Sequence, residues 1–204
     1  MVVKGPSRLD ANHLPSLIDQ AGGNKKLLAH VARTNPLWKE ARDGDEALVV
    51  FCADDAYISL NWYPSKHEFH RQVPTCNYRI VHVHGRLFIR DTKIFVRGVV
   101  ARLTRMHEGK AGSPKPWKMT DSPPEYIAHM LSNILGIEIE ITKMVGKWKL
   151  SQDKDERDRV NAVDELRKRG EQEISRAMLS TVSTASQHRL RHVSDQGQAQ
   201  PYTR

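Results

Sequence analysis

The sequence predicts a mainly β protein with interspersed helices, which places it in the α+β class. Three features support this prediction: short β-branched segments bounded by turn residues, one long segment with apolar residues at helical spacing, and a stretch rich in proline and glycine. The 204 residues are 39% hydrophobic and 27% charged, a composition expected of one compact core with an extension.

The first half of the chain contains several segments typical of antiparallel strands. Residues 8–18 suit an edge strand, because Pro15 has no backbone N–H to donate to a central ladder. Asn35-Pro36 provides a helix cap followed by proline at the first helical position. Residues 61–73 show no clear periodicity and are interpreted as a structured loop or broken helix. Further strands are predicted at 27–32, at 46–52 and 56–60 as a hairpin around Asp54-Asp55, and at 77–84 and 86–90 as a hairpin around Gly85.

The second half begins with a segment, 92–107, whose pattern predicts an amphipathic helix. Its apolar side is formed by Val96, Val99, Leu103 and Met106, and its basic side by Lys93, Arg97, Arg102 and Arg105. A linker over 109–124 precedes a second predicted helix, 123–135, which Gly136 is expected to end.

The glutamates that alternate with isoleucines after Gly136 are the plainest strand signal in the chain. We expect a strand over 137–141 that turns at Val145-Gly146 into a closing strand, 147–150. Six or more antiparallel strands with interspersed helices suggest a barrel. The predicted organisation is a domain over 1–152 that includes both helices, a C-terminal helix over 153–179 and a disordered polar tail over 180–204.

The positive charge is concentrated in one part of the chain. The formal net charge is +8, and residues 86–118 contain nine basic and only two acidic side chains. Lys93, Arg97, Arg102 and Arg105 can therefore form either a solvated helix face or a weak electrostatic contact with a nucleic-acid backbone. No second helix follows at the spacing that base reading in a major groove requires.

Several classes of site lack support in the sequence. It contains no glycine-rich phosphate loop, no dinucleotide-binding fingerprint and no G-x-S-x-G hydrolase motif. Cys52 and Cys76 cannot form a disulfide framework or a thiolate metal site, and the histidine pairs lack further ligands at a defined spacing. We therefore expect no metal site. No apolar run is long enough to cross a bilayer, so we also expect no membrane span and a cytoplasmic location.

Three predicted loops combine aromatic, amide, hydroxyl and basic side chains, at 33–38, 61–66 and 74–78. A planar ligand with a phosphate tail needs such a mixture, since aromatic rings contact the ring system and basic groups neutralise the phosphate. Helix capping and core packing are the alternative explanation for each loop taken singly.

Four segments resemble motifs of the PaiB-type FMN-binding negative transcriptional regulators, and they occur in the same order as in that family. They are L-A-H-V-A-R-T-N-P-L-W (28–38), Y-I-S-L-N-W-Y-P-S-K (57–66), V-P-T-C-N-Y (73–78) and G-K-W-K-L-S-Q (146–152). The resemblance implies an FMN-binding split β-barrel that is usually a homodimer, with the flavin in a cleft between the subunits. It covers the chain from about Leu9 to the helix that begins near Asp153.

The same resemblance implies roles for individual residues. Arg33 is the first candidate for the FMN phosphate and Lys66 the second, while Lys147 and Lys149 belong either to the site or to a capped barrel strand. The ribityl chain and the ring edge are expected at residues of the matching motifs and of the A-N-H-x-P segment, namely Asn12, His13, Asn35, Ser59, Trp62, Tyr63, Thr75, Asn77 and Tyr78.

The chain also departs from the family pattern. Only residues 1–10 precede the A-N-H-x-P segment, so we expect an N-terminally shortened barrel with an open edge. Cys76 replaces the usual tryptophan, and Leu60-Asn61 replaces a segment that is usually Pro-Ser or similar. The resemblance implies a transcriptional regulator. The alternative is a flavin-dependent oxidoreductase, such as a flavin reductase or a pyridoxamine-phosphate-oxidase-like enzyme, that uses the bound FMN.

Overall fold

The computed structural model describes residues 1–5 and 8–181. Within them, seven strands form one sheet in the order β2-β1-β5-β6-β7-β4-β3. The β1–β2, β1–β5, β3–β4 and β4–β7 pairs are antiparallel. The strands are Val2–Lys4 (β1), Leu9–Ala11 (β2), Ser16–Asp19 (β3), Lys26–Ala32 (β4), Glu46–Ile58 (β5), Thr75–Arg90 (β6) and Ile134–Lys149 (β7). The predicted class, mainly β with helices, is confirmed.

The helices lie between the strands and after the last of them. They are Leu37–Glu40 (α1), Pro64–Phe69 (α2), Lys93–Lys110 (α3), Pro124–Ser132 (α4) and Glu156–Lys168 (α5), and residues 172–181 are also helical. A 3₁₀ turn over Leu60–Trp62 precedes α2, as expected for a broken helix. Thr92 caps α3, because its hydroxyl accepts a hydrogen bond from the Phe95 amide.

The three hairpin turns predicted inside β5, β6 and β7 are wrong, because each of these strands is continuous. Asp54 lies within the extended strand, and its carboxylate pairs with Arg79 on β6. At Gly85 the β7 backbone passes so close that a Cβ would lie 2.5 Å from the Glu140 carbonyl oxygen. At Gly146 the indole of Trp148 packs against the strand.

The N-terminal residues form two strands where one edge strand was predicted. Pro15 lies between β2 and β3, so residues 8–18 contribute to opposite ends of the strand order. Before them, β1 pairs with both β2 and β5, and the Met1 ammonium donates to the Asn12 carbonyl at 2.7 Å. The short segment that precedes the A-N-H-x-P motif is thus part of the sheet.

Three predicted helix boundaries require correction. The second helix was predicted over 123–135 but ends at Ser132. Gly136 lies inside β7, where a Cβ would collide with the Phe95 ring. The helix predicted over 153–179 is interrupted at Gly170, whose φ of 81° is typical of a helix C-terminus. Of the tail predicted over 180–204, the first two residues are helical and 182–204 lie outside the described residues.

The chain divides into two compact units. The first unit comprises residues 1–51 and 82–145, and the second comprises 52–81 with the described residues from 146 onward. A core cluster in the first unit packs α3 against the strands, through Leu17, Leu28, Val99 and Leu103 with Phe95 and Met106 around them. The core of the second unit is formed by Ala56, Ile58, Trp62, Tyr63, Leu150, Ala162, Val163, Leu166, Ile174 and Met178.

Across residues 1–5 and 8–181, none of the helices combines the length and the hydropathy that a bilayer crossing requires.

Candidate functional site

Three of the predicted cofactor residues lie inside the core of the second unit. Trp62 is 8% exposed, and Tyr63 and Asn77 are fully buried. The Tyr63 hydroxyl is hydrogen-bonded to Ser151 Oγ at 3.2 Å, and Asn77 Nδ2 donates to the same oxygen at 2.9 Å. Burial raises the pKa of the Tyr63 phenol. Tyr63 and Asn77 are therefore joined through Ser151 inside the core, whereas the Trp62 ring lies 4.7 Å from the Arg169 guanidinium.

Ser151, the residue that joins them, has an unusual backbone conformation. Its φ is 58°, in the left-handed region that residues other than glycine seldom occupy. Ser151 is 3% exposed and follows directly after the buried Leu150. This conformation directs the hydroxyl to Tyr63 and Asn77 at the end of β7.

A buried carboxylate that the sequence did not indicate lies in the same unit. Asp158 on α5 is fully buried, and it accepts hydrogen bonds from the Ser65 amide at 3.0 Å and from the Ser65 hydroxyl. Gln72 Nε2 donates to Ser65 Oγ at 2.8 Å. Because Ser65 lies in the first turn of α2, the carboxylate satisfies an amide that the helix leaves unpaired. The partners are 93 residues apart in sequence, so no local pattern reveals them.

Ser59 and Lys66 organise the turn that leads into α2. Ser59 Oγ accepts a hydrogen bond from the Asn61 amide at 3.3 Å and caps the 3₁₀ turn. Lys66 Nζ donates to Asn61 Oδ1 at 2.8 Å and is accessible to solvent. Asn61, which belongs to the Leu60-Asn61 departure from the family pattern, thus gives Lys66, the second candidate for the FMN phosphate, a side-chain partner.

An accessible group of polar side chains lies on β6 and β7, within the second unit. Lys149 Nζ donates to Thr75 Oγ1, and Lys147 Nζ lies 5.7 Å from the centroid of the Tyr78 ring. In the described part of the chain, neither lysine has a carboxylate partner. Two ammonium groups, a hydroxyl and an aromatic ring together suit a planar ligand that carries a phosphate.

Arg33, the first phosphate candidate, lies in the first unit and is already engaged. Its Nε donates to the Ser132 carbonyl at 2.7 Å, and its two terminal nitrogens form a bidentate pair with Asp91. Hydrogen bonding from Arg33 lowers the pKa of the Asp91 carboxyl, and the same bond raises the pKa of the guanidinium. A phosphate at Arg33 would meet the negative charge of Asp91.

Asn12, His13 and Asn35 also lie in the first unit. Asn35 Nδ2 donates to Asn12 Oδ1 at 2.8 Å, and Asn35 Oδ1 accepts from the Leu37 amide at the start of α1. Asn12 and His13 line a cavity of about 410 Å³ whose other walls are mainly apolar, formed in part by Leu14, Leu27, Ala29, Val49, Phe51 and Ile139. Such a cavity can hold an apolar ring system with a few polar contacts.

The basic side of α3 does not act as one uniform surface. Arg102 donates to Asp19 at 3.0 Å, and this hydrogen bond lowers the pKa of the Asp19 carboxyl. Lys93 lies exposed in the first turn of the helix. Arg97 and Arg105 instead line a cavity of about 590 Å³ formed with the loop after the helix.

The histidines and cysteines form no metal centre within residues 1–5 and 8–181, where no three His, Cys, Asp or Glu side chains come together. Cys52 and Cys76 are both free and exposed.

Comparisons with known proteins give a family and several relatives. The sequence model of a family described as "Putative FMN-binding domain" matches residues 1–143. The protease synthase and sporulation protein PAI 2 of Bacillus subtilis is 28% identical over 156 residues, which are 76% of this chain and 72% of that protein. An uncharacterised protein of Saccharomyces cerevisiae is 37% identical over 102 residues, 49% of this chain and 60% of its own length.

One solved structure with a similar chain trace is that of an FAD- and haem-binding protein from Mycobacterium smegmatis. It is 14% identical, with a TM-score of 0.44, and the match covers 72% of this chain and 63% of that one. A likeness at this level does not identify a ligand for this chain.

Proposed function

This chain belongs to the FMN-binding family whose sequence model matches residues 1–143, and we propose that it acts as a flavoprotein regulator of the PaiB type. FMN is the cofactor that this membership assigns to it. The relative from Bacillus subtilis is named a protease synthase and sporulation protein. That name motivates the regulatory part of the proposal.

The accessible group on β6 and β7 carries the proposal for the cofactor phosphate. Lys147 and Lys149 are free of carboxylate partners in the described part of the chain, whereas Arg33 is paired with Asp91. A phosphate gains most from cations whose charge is not already neutralised. We therefore assign the phosphate to Lys149 and Thr75, with Lys147 beside them and the Tyr78 ring available to the flavin edge.

The remaining residues of the family motifs have supporting roles in this proposal. Tyr63 and Asn77 hold the end of β7 through Ser151, and so fix the position of Lys149 two residues earlier. Bound FMN supplies one- and two-electron redox chemistry, while the protein supplies binding, orientation and electrostatics.

Calorimetric titration of the flavin-free protein with FMN and with riboflavin tests the phosphate assignment. Lys149→Gln should weaken FMN binding by at least about tenfold and leave riboflavin unchanged, because a charge-assisted hydrogen bond contributes roughly 1.5–3 kcal/mol. Lys143→Gln, an exposed lysine earlier on β7, is the matched control. If Arg33→Gln produces the FMN-specific loss and Lys149→Gln does not, the phosphate lies at Arg33 instead.

Homodimerisation is part of the proposal. β5 exposes Phe51 and Tyr57, and β7 exposes Met144 and Trp148, each at least 38% accessible. Large apolar side chains at this exposure favour association with a second copy. Sedimentation should give about twice the chain mass of 23.3 kDa, and Tyr57→Asp should shift the protein toward monomer. A monomer that binds FMN with full affinity would contradict a shared cofactor cleft.

The regulatory role requires contact with nucleic acid or with another protein. The basic stretch 86–118 supports electrostatic binding to DNA, which should weaken steeply as salt rises and depend little on base sequence. A mobility-shift titration with an unrelated competitor duplex measures this. Absence of a shift even at low salt would argue against DNA contact.

Oxidation of NADH or NADPH by the FMN-loaded protein would favour the oxidoreductase alternative. The exposed thiols support the cytoplasm as the proposed location.

A further inference from the structure

Two cavities in the first unit share a wall formed by Trp117 and Met119. The larger, about 590 Å³, lies between α3, from Arg97 onward, and loop residues 116–120, and we call it the cationic cavity. The smaller, about 350 Å³, is lined mainly by apolar residues of α4 and its surroundings, including Tyr126, Ile127 and Met130, and we call it the apolar cavity. A charged and an apolar compartment therefore border the same indole.

The cationic cavity concentrates unpaired positive charge. Arg97, Arg105 and Lys118 line it, and none of the three forms an ion pair within residues 1–5 and 8–181. Arg102 on the same helix differs, because it is neutralised by Asp19. The cations of this cavity are therefore available to an anionic group from outside the chain.

The loop that closes the cationic cavity is fixed by hydrogen bonds. Glu108, the acidic residue of the lining, accepts from the Trp117 amide at 3.0 Å, and Asp121 accepts from the Lys118 amide at 3.0 Å. These bonds hold Trp117 and Lys118 in place at the mouth of the cavity. Trp117 is still 41% exposed, so its ring is accessible to a ligand.

His30 forms part of the wall of the apolar cavity. His30 Nδ1 is buried and has no hydrogen-bond partner in the described part of the chain. Burial lowers the pKa of this imidazole, which favours its neutral form. The wall of the apolar cavity is therefore without formal charge, in contrast to that of the cationic cavity.

We propose that these two cavities form a site for a small amphipathic organic anion, distinct from the residues assigned to FMN. Its apolar body contacts Trp117 and Met119 and extends toward α4, and its anionic group binds Arg105 and Lys118 with Arg97 nearby. This site goes beyond the proposed function. Because Arg97 and Arg105 also belong to the basic side of α3, the bound ligand and a nucleic acid would compete for the same side chains.

A pair of fluorescent probes tests the site on the full chain saturated with FMN. The anionic probe is 8-anilinonaphthalene-1-sulfonate, and the neutral probe is N-phenyl-1-naphthylamine, which has the same aromatic body without the sulfonate. Arg105→Gln combined with Lys118→Gln should weaken the anionic probe at least about tenfold and leave the neutral probe unchanged. Trp117→Ala should weaken both probes, because the indole forms the wall that both would contact.

Lys110→Gln is the matched control, because this lysine is exposed on the same helix and does not line either cavity. Its affinity for both probes should equal that of the wild type. The proposal is overturned if the double variant binds the anionic probe normally, if Lys110→Gln weakens that probe as much, or if the neutral probe loses affinity in parallel. If the flavin-free protein binds the anionic probe and saturation with FMN abolishes that binding, the probe occupies the cofactor site and the proposal is overturned.

Discussion

Two polar clusters, one in each unit, differ in how far they are exposed to solvent. In the second unit, Asp158 and Asn77 are fully buried and bonded to Ser65 and Ser151. In the first unit, Arg33 forms its pair with Asp91 at the surface, with both side chains more than a third exposed. The comparison shows that residues drawn from one set of family motifs can stabilise a core in one place and remain accessible in another.

The largest expected effect is at the buried carboxylate of the second unit. Asp158→Ala leaves the Ser65 amide and hydroxyl without their acceptor inside the core. Each buried donor without a partner costs about 1–3 kcal/mol, so the free energy of unfolding should fall by roughly 3 kcal/mol or more. Urea denaturation measures this. Asp155→Ala, the exposed residue before α5, should change stability by less than about 0.5 kcal/mol. Equal effects would refute the contrast between buried and exposed carboxylates.

A large effect is also expected in the first unit, where it arises from packing. In Gly136→Ala the new Cβ would meet the Phe95 ring and lie 2.9 Å from the Arg90 carbonyl oxygen. Such overpacking should destabilise the protein by about 1–3 kcal/mol in thermal or urea unfolding. Gly98→Ala in α3 is the control, because the added Cβ would have no atom within 4 Å apart from its chain neighbours and the backbone of its own helix. It should stabilise by roughly 0.5–1 kcal/mol.

A smaller effect separates two tyrosines of the second unit. Tyr63→Phe removes the hydroxyl bonded to Ser151 in the core, which should cost about 1 kcal/mol. Tyr57→Phe removes a hydroxyl from a side chain that is 58% exposed and should be nearly neutral. The two variants are compared by their urea midpoints at constant slope. If Tyr57→Phe is the more destabilising, the buried hydroxyl contributes less than its position indicates.

The smallest effect is expected at the exposed pair of the first unit. Because the pKa of Asp91 is lower in the folded protein, the pair contributes stability above the ordinary aspartate pKa of about 3.9. That contribution is lost as the pH falls through the lower, folded value. Asp91→Asn should therefore flatten the acid side of the stability profile slightly, and 1 M salt should reduce the difference. A salt-independent difference would indicate a role other than charge pairing.

Much of the fold could be predicted from local patterns. The alternation of Ile137 to Ile141 and the helical spacing from Val96 to Met106 both correspond to elements of the expected type. The hairpin predicted around Gly85 is wrong because this glycine makes room for the neighbouring strand and does not break its own. Whether a glycine breaks a strand or admits a neighbour depends on residues distant in sequence, such as Glu140.

The candidate site was less predictable than the fold, for the same reason. Motif residues with identical chemistry differ in accessibility, since Tyr63 is fully buried and Tyr78 is partly exposed. The pairing of Arg33 with Asp91 joins residues 58 positions apart. No local pattern indicates that the charge of Arg33 is already neutralised, or that Lys149 keeps its own.

The left-handed backbone of Ser151 places two demands on one residue. The position calls for a conformation that glycine adopts without strain and for a hydroxyl that glycine lacks. Asparagine tolerates the conformation, but its larger side chain would have to fit between Tyr63 and Asn77 in a filled core. Glycine at this position would relieve the backbone strain but would remove the hydroxyl oxygen that joins Tyr63 and Asn77. Few of the twenty amino acids can replace Ser151 without rearranging the segment that carries Lys149.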